Sequence, residues 1–571
     1  MQEILKSIPK VDNKEKLSGS AKYTSDYDLE NLYYAKTVRS TEARARIITI
    51  DIPKLDDGYF IVDHTHIPKH NVIKMIFDDW KVFADDQVHY IGEPILLVIG
   101  KDKQKIDDII TQISITYEKM NPVFDFKNSV IQKAFKKGDY EKTKTDAEWI
   151  YHETFETGYQ EQAYIEPQGF IAYLEAQDKI TLIGSIQCPY YVKNAVLHTL
   201  GYEEDKIRVI QPAVGGAFGG KEEFPSIMAC QLAVAVHHLK VPIKMIYERE
   251  EDMLVTTKRH PSKIRLEATI KSNKITGIKA HVSLDGGAYI GLSGVVLSRS
   301  MIAVTSAYTI DNLDVSGDVY LTNTVPTGAF RGFGAPQMIF AIEMFVTHLA
   351  NHLKADDYAF RIQHLAKQGD KTSTSGLFRD PIIMQKMIDK VTVASGYHEK
   401  RKAYPKAKKH QGIGMSWFLH GCGFTGSGES DHIHAKVKLM KDQHDHVHIL
   451  VAAVDMGQGA LTALKKIVFE TLEIPSHHVI FNPPDTDFIV DSGPTVASRT
   501  TMIVGGLLAR AALKLKNGWI QGEAQEIIEA YEQPSYMTWD EDTMQGDAYP
   551  AYSWGVNIVE VEVCPITYQV D

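Results

Sequence analysis

"QPAVGGAFGGKEEFPS" runs from Gln211 to Ser226, near the middle of the chain. Four glycines fall within six positions around Phe218, and Lys221, Glu222, Glu223 and a proline follow. Upstream, "KIRVIQPAV" (Lys206–Val214) has the character of a strand. Downstream, "PSIMACQLAVAVHHLK" carries Met228, Leu232, Val236 and Leu239 on one helical face, with Pro225 suited to the first turn. Glycines in such a loop let backbone N–H groups approach a ligand closely, and a helix start favours an anion. Taken alone, the stretch is either a tight structural turn or an anion cradle. It is not a Walker A loop, because Glu222 follows Lys221 where Ser or Thr is needed. It also lacks the acidic residue that completes a dinucleotide fingerprint about 20 positions on.

Three further stretches share its grammar. "NTVPTGAFRGFGAPQ" (Asn323–Gln337) sets small residues around aromatics and adds the Arg331 guanidinium, able to bind phosphate or polarise an oxo group. "DMGQGA" (Asp455–Ala460) and "DSGPTVASRTT" (Asp491–Thr501) each precede a helical pattern. Helix capping explains any one of the four easily. All four together suit a long polyanionic cofactor held by backbone groups.

With 571 residues, several domains are expected. The net charge of -11 argues against a nucleic-acid scaffold, and the basic stretch Tyr397–Gln411 reads as a solvated connector. No apolar run approaches the ~20 residues of a membrane helix, and "MQEILKSIPKVDNKEK" lacks the apolar core of a secretion signal. A soluble, cytoplasmic protein is expected. Cys188, Cys230, Cys422 and Cys564 form no CxxC pair, so neither a disulfide framework nor an iron–sulfur cluster is indicated.

The fold class expected is α+β. Strand-like and helix-like pieces alternate over residues 14–126, including "QVHYIGEPILLVIG" and the helical "KDKQKIDDIITQISITYE". The polar stretch Lys127–Glu148 reads as a linker. A second region, 148–395, holds a short helix at Asn194–Gly201 and a long one at Gln337–Leu353. A third, 412–571, holds strands in "HIHAKVKLM" and "HVHILVAAV" and helices at Ala460–Leu472 and Thr500–Leu515.

"VGGAFGGKEE", "TGAFRGFGAPQ", "GYQEQAYIEPQG", "REEDM…TTKRHP" and "DMGQGA" together resemble the molybdenum-binding large subunit of the xanthine dehydrogenase and aldehyde oxidase family. The likeness runs from about Val11 to the last residue. It implies an N-terminal α/β hammerhead domain (14–126), then two elongated mixed α/β molybdenum-cofactor-binding domains (148–395 and 412–571). It also implies a molybdenum–molybdopterin cofactor and hydroxylation with water as the oxygen source. FAD and 2Fe-2S groups are expected on partner subunits, in an oligomer.

Carried over by motif, Gln160 is expected to face the molybdenum, and Phe218, Gly219, Arg331, Gln458 and Ala497 to contact the cofactor. No metal ligand from the chain itself is implied. Glu222 and Arg299 match the carboxylate and guanidinium that flank a purine ring, and Phe333 matches a ring-stacking aromatic. Such a pair steadies charge developing on the ring. Aldehyde oxidases tend to replace it, and carbon monoxide dehydrogenases carry a cysteine where this chain has Gly332. The resemblance thus points to a purine of the xanthine or hypoxanthine type, or a related N-heterocycle. Aldehyde oxidation and a non-catalytic cofactor carrier are the alternatives.

One departure stands out. The sequence ends at "VEVCPITYQVD", ahead of the segment in which the family carries its catalytic glutamate. A separate C-terminal polypeptide, or an inactive truncated product, is the expectation that follows. Glu429 in "GSGESD" lies too early to match that segment.

Overall fold

A computed structural model describes residues 7–175, 178–406, 410–426 and 428–571. Its largest sheet has seven strands, in the order Ile207–Ile210, Ile180–Gly184, Gly169–Leu174, Ile243–Ile246, Tyr33–Arg39, Pro94–Gly100 and Phe60–Asp63. The middle join is parallel, with Tyr33 beside Ile243. Strands from the first and second regions therefore build one sheet. Only a three-stranded sheet (Gln87–Val88, Ala45–Asp51, Ser114–Lys119) belongs to the first region alone.

Two helices pack on the seven-stranded sheet. Pro225–Leu239 is buried from its first proline through Val236, as its nearly all-apolar composition requires. Pro189–Leu200 ends at Gly201 with φ 70°, the left-handed stop read from the sequence, though it starts five residues before Asn194. The strand read over Lys206–Val214 is confined to Ile207–Ile210, because the residues beyond it turn into the glycine loop.

Lys127–Glu148 is not a linker. Ser129–Lys137 forms an edge strand of a five-stranded sheet, paired with Leu313–Tyr320, and Tyr140–Thr145 is a short helix. Its lysines mislead because they alternate: Lys136 is exposed, whereas Lys137 is buried and donates its Nζ to the Ile310 and Lys371 carbonyls. Helices Ser293–Ile302 and Ala335–His352 pack against this sheet.

The third region has a four-stranded sheet, Val479–Phe481, Val447–Leu450, Lys436–Lys441 and Gln525–Ala530, covered by helices Ala460–Leu472 and Gly505–Asn517. The latter follows a π-turn at Thr500–Val504, so the helix read from Thr500 is regular only from Gly505. A ribbon of Gln411–Cys422 with Ala551–Glu562 returns to the second region. There Glu343 accepts from the Trp417 N–H (2.7 Å) and pairs with Arg361 (2.7 Å), which also pairs with Asp357 (2.9 Å), all of them buried. The basic stretch begins as a helix, Tyr397–Ala403, whose Tyr397 is buried; residues 407–409 lie outside those described. Among the described residues no helix is long and apolar enough to cross a membrane.

Candidate active site

All four small-residue loops converge on one cleft of about 1890 Å³ between the second and third regions. Phe218, Gly219, Glu222, Arg299, Arg331, Phe333, Gln458 and Ala497 all line it. Gln160 does not. It is exposed, and its amide oxygen accepts from Arg259 Nε at 2.5 Å.

The backbone is strained where the loops meet the cleft. Phe218 (φ 54°), Phe333 (φ 50°), Ala497 (φ 55°) and Ser498 (φ 54°) all hold left-handed conformations that side chains disfavour. Gly219, at φ 104°, sits so close to the second loop that a Cβ there would lie 2.8 Å from the Ala329 carbonyl oxygen. The Arg331 N–H donates to the Phe218 carbonyl at 2.8 Å and locks the two loops together.

Besides Gln458, the cleft holds Gln187, from "SIQCPYY", which carried no motif. Its Oε1 accepts the Gly219 N–H (3.0 Å), its Nε2 donates to the Thr495 carbonyl (3.2 Å), and its own N–H donates to the Lys221 carbonyl (2.8 Å). Gly215 likewise gives its N–H to Glu166 at 2.7 Å. Two of the loop's donors are thus spent on neighbours rather than facing outward. Lys221 is fully buried, donating to Glu166 (3.1 Å) and Ser185 (2.8 Å) over the Tyr164 ring; it props the loop from behind, and burial pulls its ammonium below the usual range.

In the third loop Asp455 accepts from the Gly457 and Gly459 N–H groups, and the Gln458 side chain folds back onto Met456 N–H and the Val454 carbonyl. The space where a Gly457 side chain would stand is open. Arg259 joins the remaining pieces. It holds Gln160, donates Nη2 to the Arg331 carbonyl (3.0 Å), and lies 3.9 Å from the Phe330 ring centre. Burial brings it down to about 10. The Arg331 guanidinium itself is exposed, with no partner among the described residues.

Also in the cleft, Arg299 is 3% exposed, donates Nη2 to the Gly423 carbonyl (3.0 Å), and lies within 5.5 Å of the Phe333 ring centre and 5.7 Å of that of Tyr549. Glu222 is buried across from it. Burial pushes the Glu222 carboxyl well above the usual range, the adjacent Glu223 adds to this, and Arg299 opposes it. Glu223, raised by burial to about 7, turns away from the cleft to accept from the Ala329 N–H at 2.7 Å. Cys188, His420, Phe424 and Thr425 also line the cleft. Glu429 lies in the turn Gly428–Asp431, and its side chain is outside what the structure describes.

The donor set fits a molybdopterin group. Left-handed backbone, an open glycine edge, an unpartnered guanidinium and glutamines line the same cleft as an acid, a second guanidinium and flat rings.

Comparison with known proteins agrees. Three family models match: the aldehyde oxidase and xanthine dehydrogenase a/b hammerhead domain over residues 18–121, and molybdopterin cofactor-binding domains over 123–365 and 390–533. The chain belongs to the molybdenum-binding large-subunit family of xanthine dehydrogenase and aldehyde oxidase. Its fold is a hammerhead domain followed by two cofactor-binding domains.

It is similar to the nicotinate dehydrogenase large molybdopterin subunit of Eubacterium barkeri, 28% identical over 70% of this chain and 99% of the relative. The xanthine dehydrogenase of Calliphora vicina is 28% identical over 87% of this chain, which spans 38% of that protein. In fold it matches the aldehyde oxidoreductase of Desulfovibrio desulfuricans, with TM-score 0.90 and 20% identity over 99% of this chain and 67% of that one.

Proposed function

We propose that this chain is the cofactor-binding subunit of a molybdenum hydroxylase that oxidises a purine or related N-heterocycle, with water as the oxygen source. One observation carries the reading: Glu222, Arg299 and Phe333 line the same cleft as the four cofactor loops. A bound molybdenum–molybdopterin group supplies the two-electron oxidation and oxygen transfer.

The chain's own residues supply the rest. Phe218, Arg331, Ala497 and Gln187 would hold the cofactor, Gln187 taking the place expected of Gln160. Phe333 offers a flat face to a ring. Glu222, carrying a proton, donates to a ring acceptor, while Arg299 meets negative charge on the opposite edge, so charge developing during oxidation faces a preorganised cation. Electrons pass to partner subunits carrying 2Fe-2S and FAD.

The test is kinetic, on the assembled holoenzyme. Glu222→Gln and Arg299→Gln each lower kcat/KM for hypoxanthine by about 10²–10³ and leave a simple aliphatic aldehyde far less affected. Equal losses on both substrates would mean that Glu222 and Arg299 are structural and do not select the ring.

A further inference from the structure

We infer that Arg259 is a positioning residue for the cofactor: it sets an unpaired positive charge behind the cleft wall and raises the redox potential of the molybdenum bound there. This rests on the cofactor reading and is independent of which substrate is oxidised. Arg259 comes from "TTKRHP" (Thr256–Pro261), a motif that the chemistry above leaves unused.

The side chain is buried, at 6% exposed, and holds the wall from behind. Nη2 donates to the Arg331 carbonyl (3.0 Å), and the guanidinium lies 3.9 Å from the Phe330 ring centre. Phe330 and Arg331 both line the cleft. The Arg331 N–H in turn donates to the Phe218 carbonyl at 2.8 Å, so Arg259 anchors two cofactor loops through one backbone segment. On its other side the Arg259 N–H donates to the Gln160 carbonyl (3.1 Å) and Nε to the Gln160 amide oxygen (2.5 Å).

No neighbour cancels the charge. Nη1 is buried without a hydrogen-bond partner, and among the described residues no carboxylate pairs with the guanidinium. Glu161, next to Gln160 in the chain, is taken by Lys258 at 2.6 Å. His260, the following residue, is held neutral: burial and then Arg259 push it down to about 3, and its Nε2 lies 2.8 Å from Ser293 Oγ. The buried Arg361, by contrast, has both Glu343 and Asp357. Arg259 itself, at about 10, is a cation at neutral pH. Such a charge is costly away from water unless something negative answers it. Reduction of the cofactor adds negative charge on the other side of the wall. A cation buried in a poorly polarisable wall acts over a longer range than one in water, so it favours the reduced form.

The experiment is a redox titration of the assembled holoenzyme, reading the molybdenum midpoint potential by electron paramagnetic resonance. Arg259→Gln removes the charge and should move the potential to more negative values. Arg259→Lys keeps the charge without the fork, and should recover most of that shift even where it holds less cofactor. Gln160→Glu sets a carboxylate against Nε from an exposed position and should lower the potential as well; Gln160→Ala should not. An Arg259 with a merely structural role would change cofactor content or melting temperature and leave the potential of the retained molybdenum in place. Potentials that agree across all four variants therefore overturn the inference, as does an Arg259→Lys shift as large as that of Arg259→Gln. If Arg259→Gln does not fold or keeps no metal, the Gln160 pair decides. An assembly that holds no molybdenum would sink the cofactor reading itself, a failure that metal analysis shows before any titration.

Discussion

The side chain of Gln187 accepts the Gly219 N–H at 3.0 Å and donates to the Thr495 carbonyl at 3.2 Å, stitching the glycine loop of one region to the small-residue loop of another. Gln187→Ala leaves both partners bare and should destabilise the protein by about 2–4 kcal/mol. Molybdenum and pterin per chain should fall with it. Gln160→Ala, which breaks only the contact with Arg259, should leave cofactor content near that of the wild type. Equal losses would return Gln160 to the site.

Left-handed backbone gives a second prediction. Gly219→Ala must push the two loops apart, at about 1–3 kcal/mol, and lower the melting temperature. Ala497→Gly relieves a conformation that costs a side chain about 1–2 kcal/mol, offset by glycine's greater chain entropy, so stability should hold or rise slightly. A marked fall in Tm for Ala497→Gly would mean its conformation is not strained.

Glu223 makes stability depend on pH in a direction opposite to most carboxylates. Its folded-state value, about 7, lies above the ordinary 4.5, so the folded chain holds the proton more tightly. The stabilisation is fully present below about 4.5 and is lost as pH rises through about 7. It amounts to roughly 3 kcal/mol at most. Glu223→Gln keeps an acceptor for the Ala329 N–H and removes the titration. Thermal melts from pH 5 to pH 8 should therefore fall less steeply for the variant than for the wild type. Parallel curves would show that Glu223 does not titrate there.

The buried network around Glu343 holds the ribbon to the second region. Glu343→Ala strands Arg361 without its nearer carboxylate and bares the Trp417 N–H, which should cost about 3–5 kcal/mol. Chemical denaturation checks this, and a loss under about 1 kcal/mol, the usual limit of an exposed pair, would demote the network.

Much of this was legible in the sequence. Pro225 and Gly201 bound helices where their backbone preferences say they should, Ala460–Leu472 is the helix its pattern describes, and the four loops meet as their shared grammar suggested. What failed was anything set by distant chain. Ser129–Lys137 is a strand only because Leu313–Tyr320 lies beside it. Gln187 has no local mark of its role, since Gly219 and Thr495, which define that role, lie far along the chain. The missing counter-ion of Arg259 is likewise a property of packing, invisible in "TTKRHP".

The parallel join of Tyr33 to Ile243 has a consequence for how the protein is made. During synthesis the N-terminal strands emerge first, and their partner follows roughly 200 residues later, some 10–40 s at ordinary elongation rates. For that interval Tyr33–Arg39 presents an unpaired edge on a ribosome-bound chain, a template for wrong pairing. Yield of soluble protein should accordingly be governed less by final stability than by elongation speed and by chaperones that shield this edge until Ile243–Ile246 arrives.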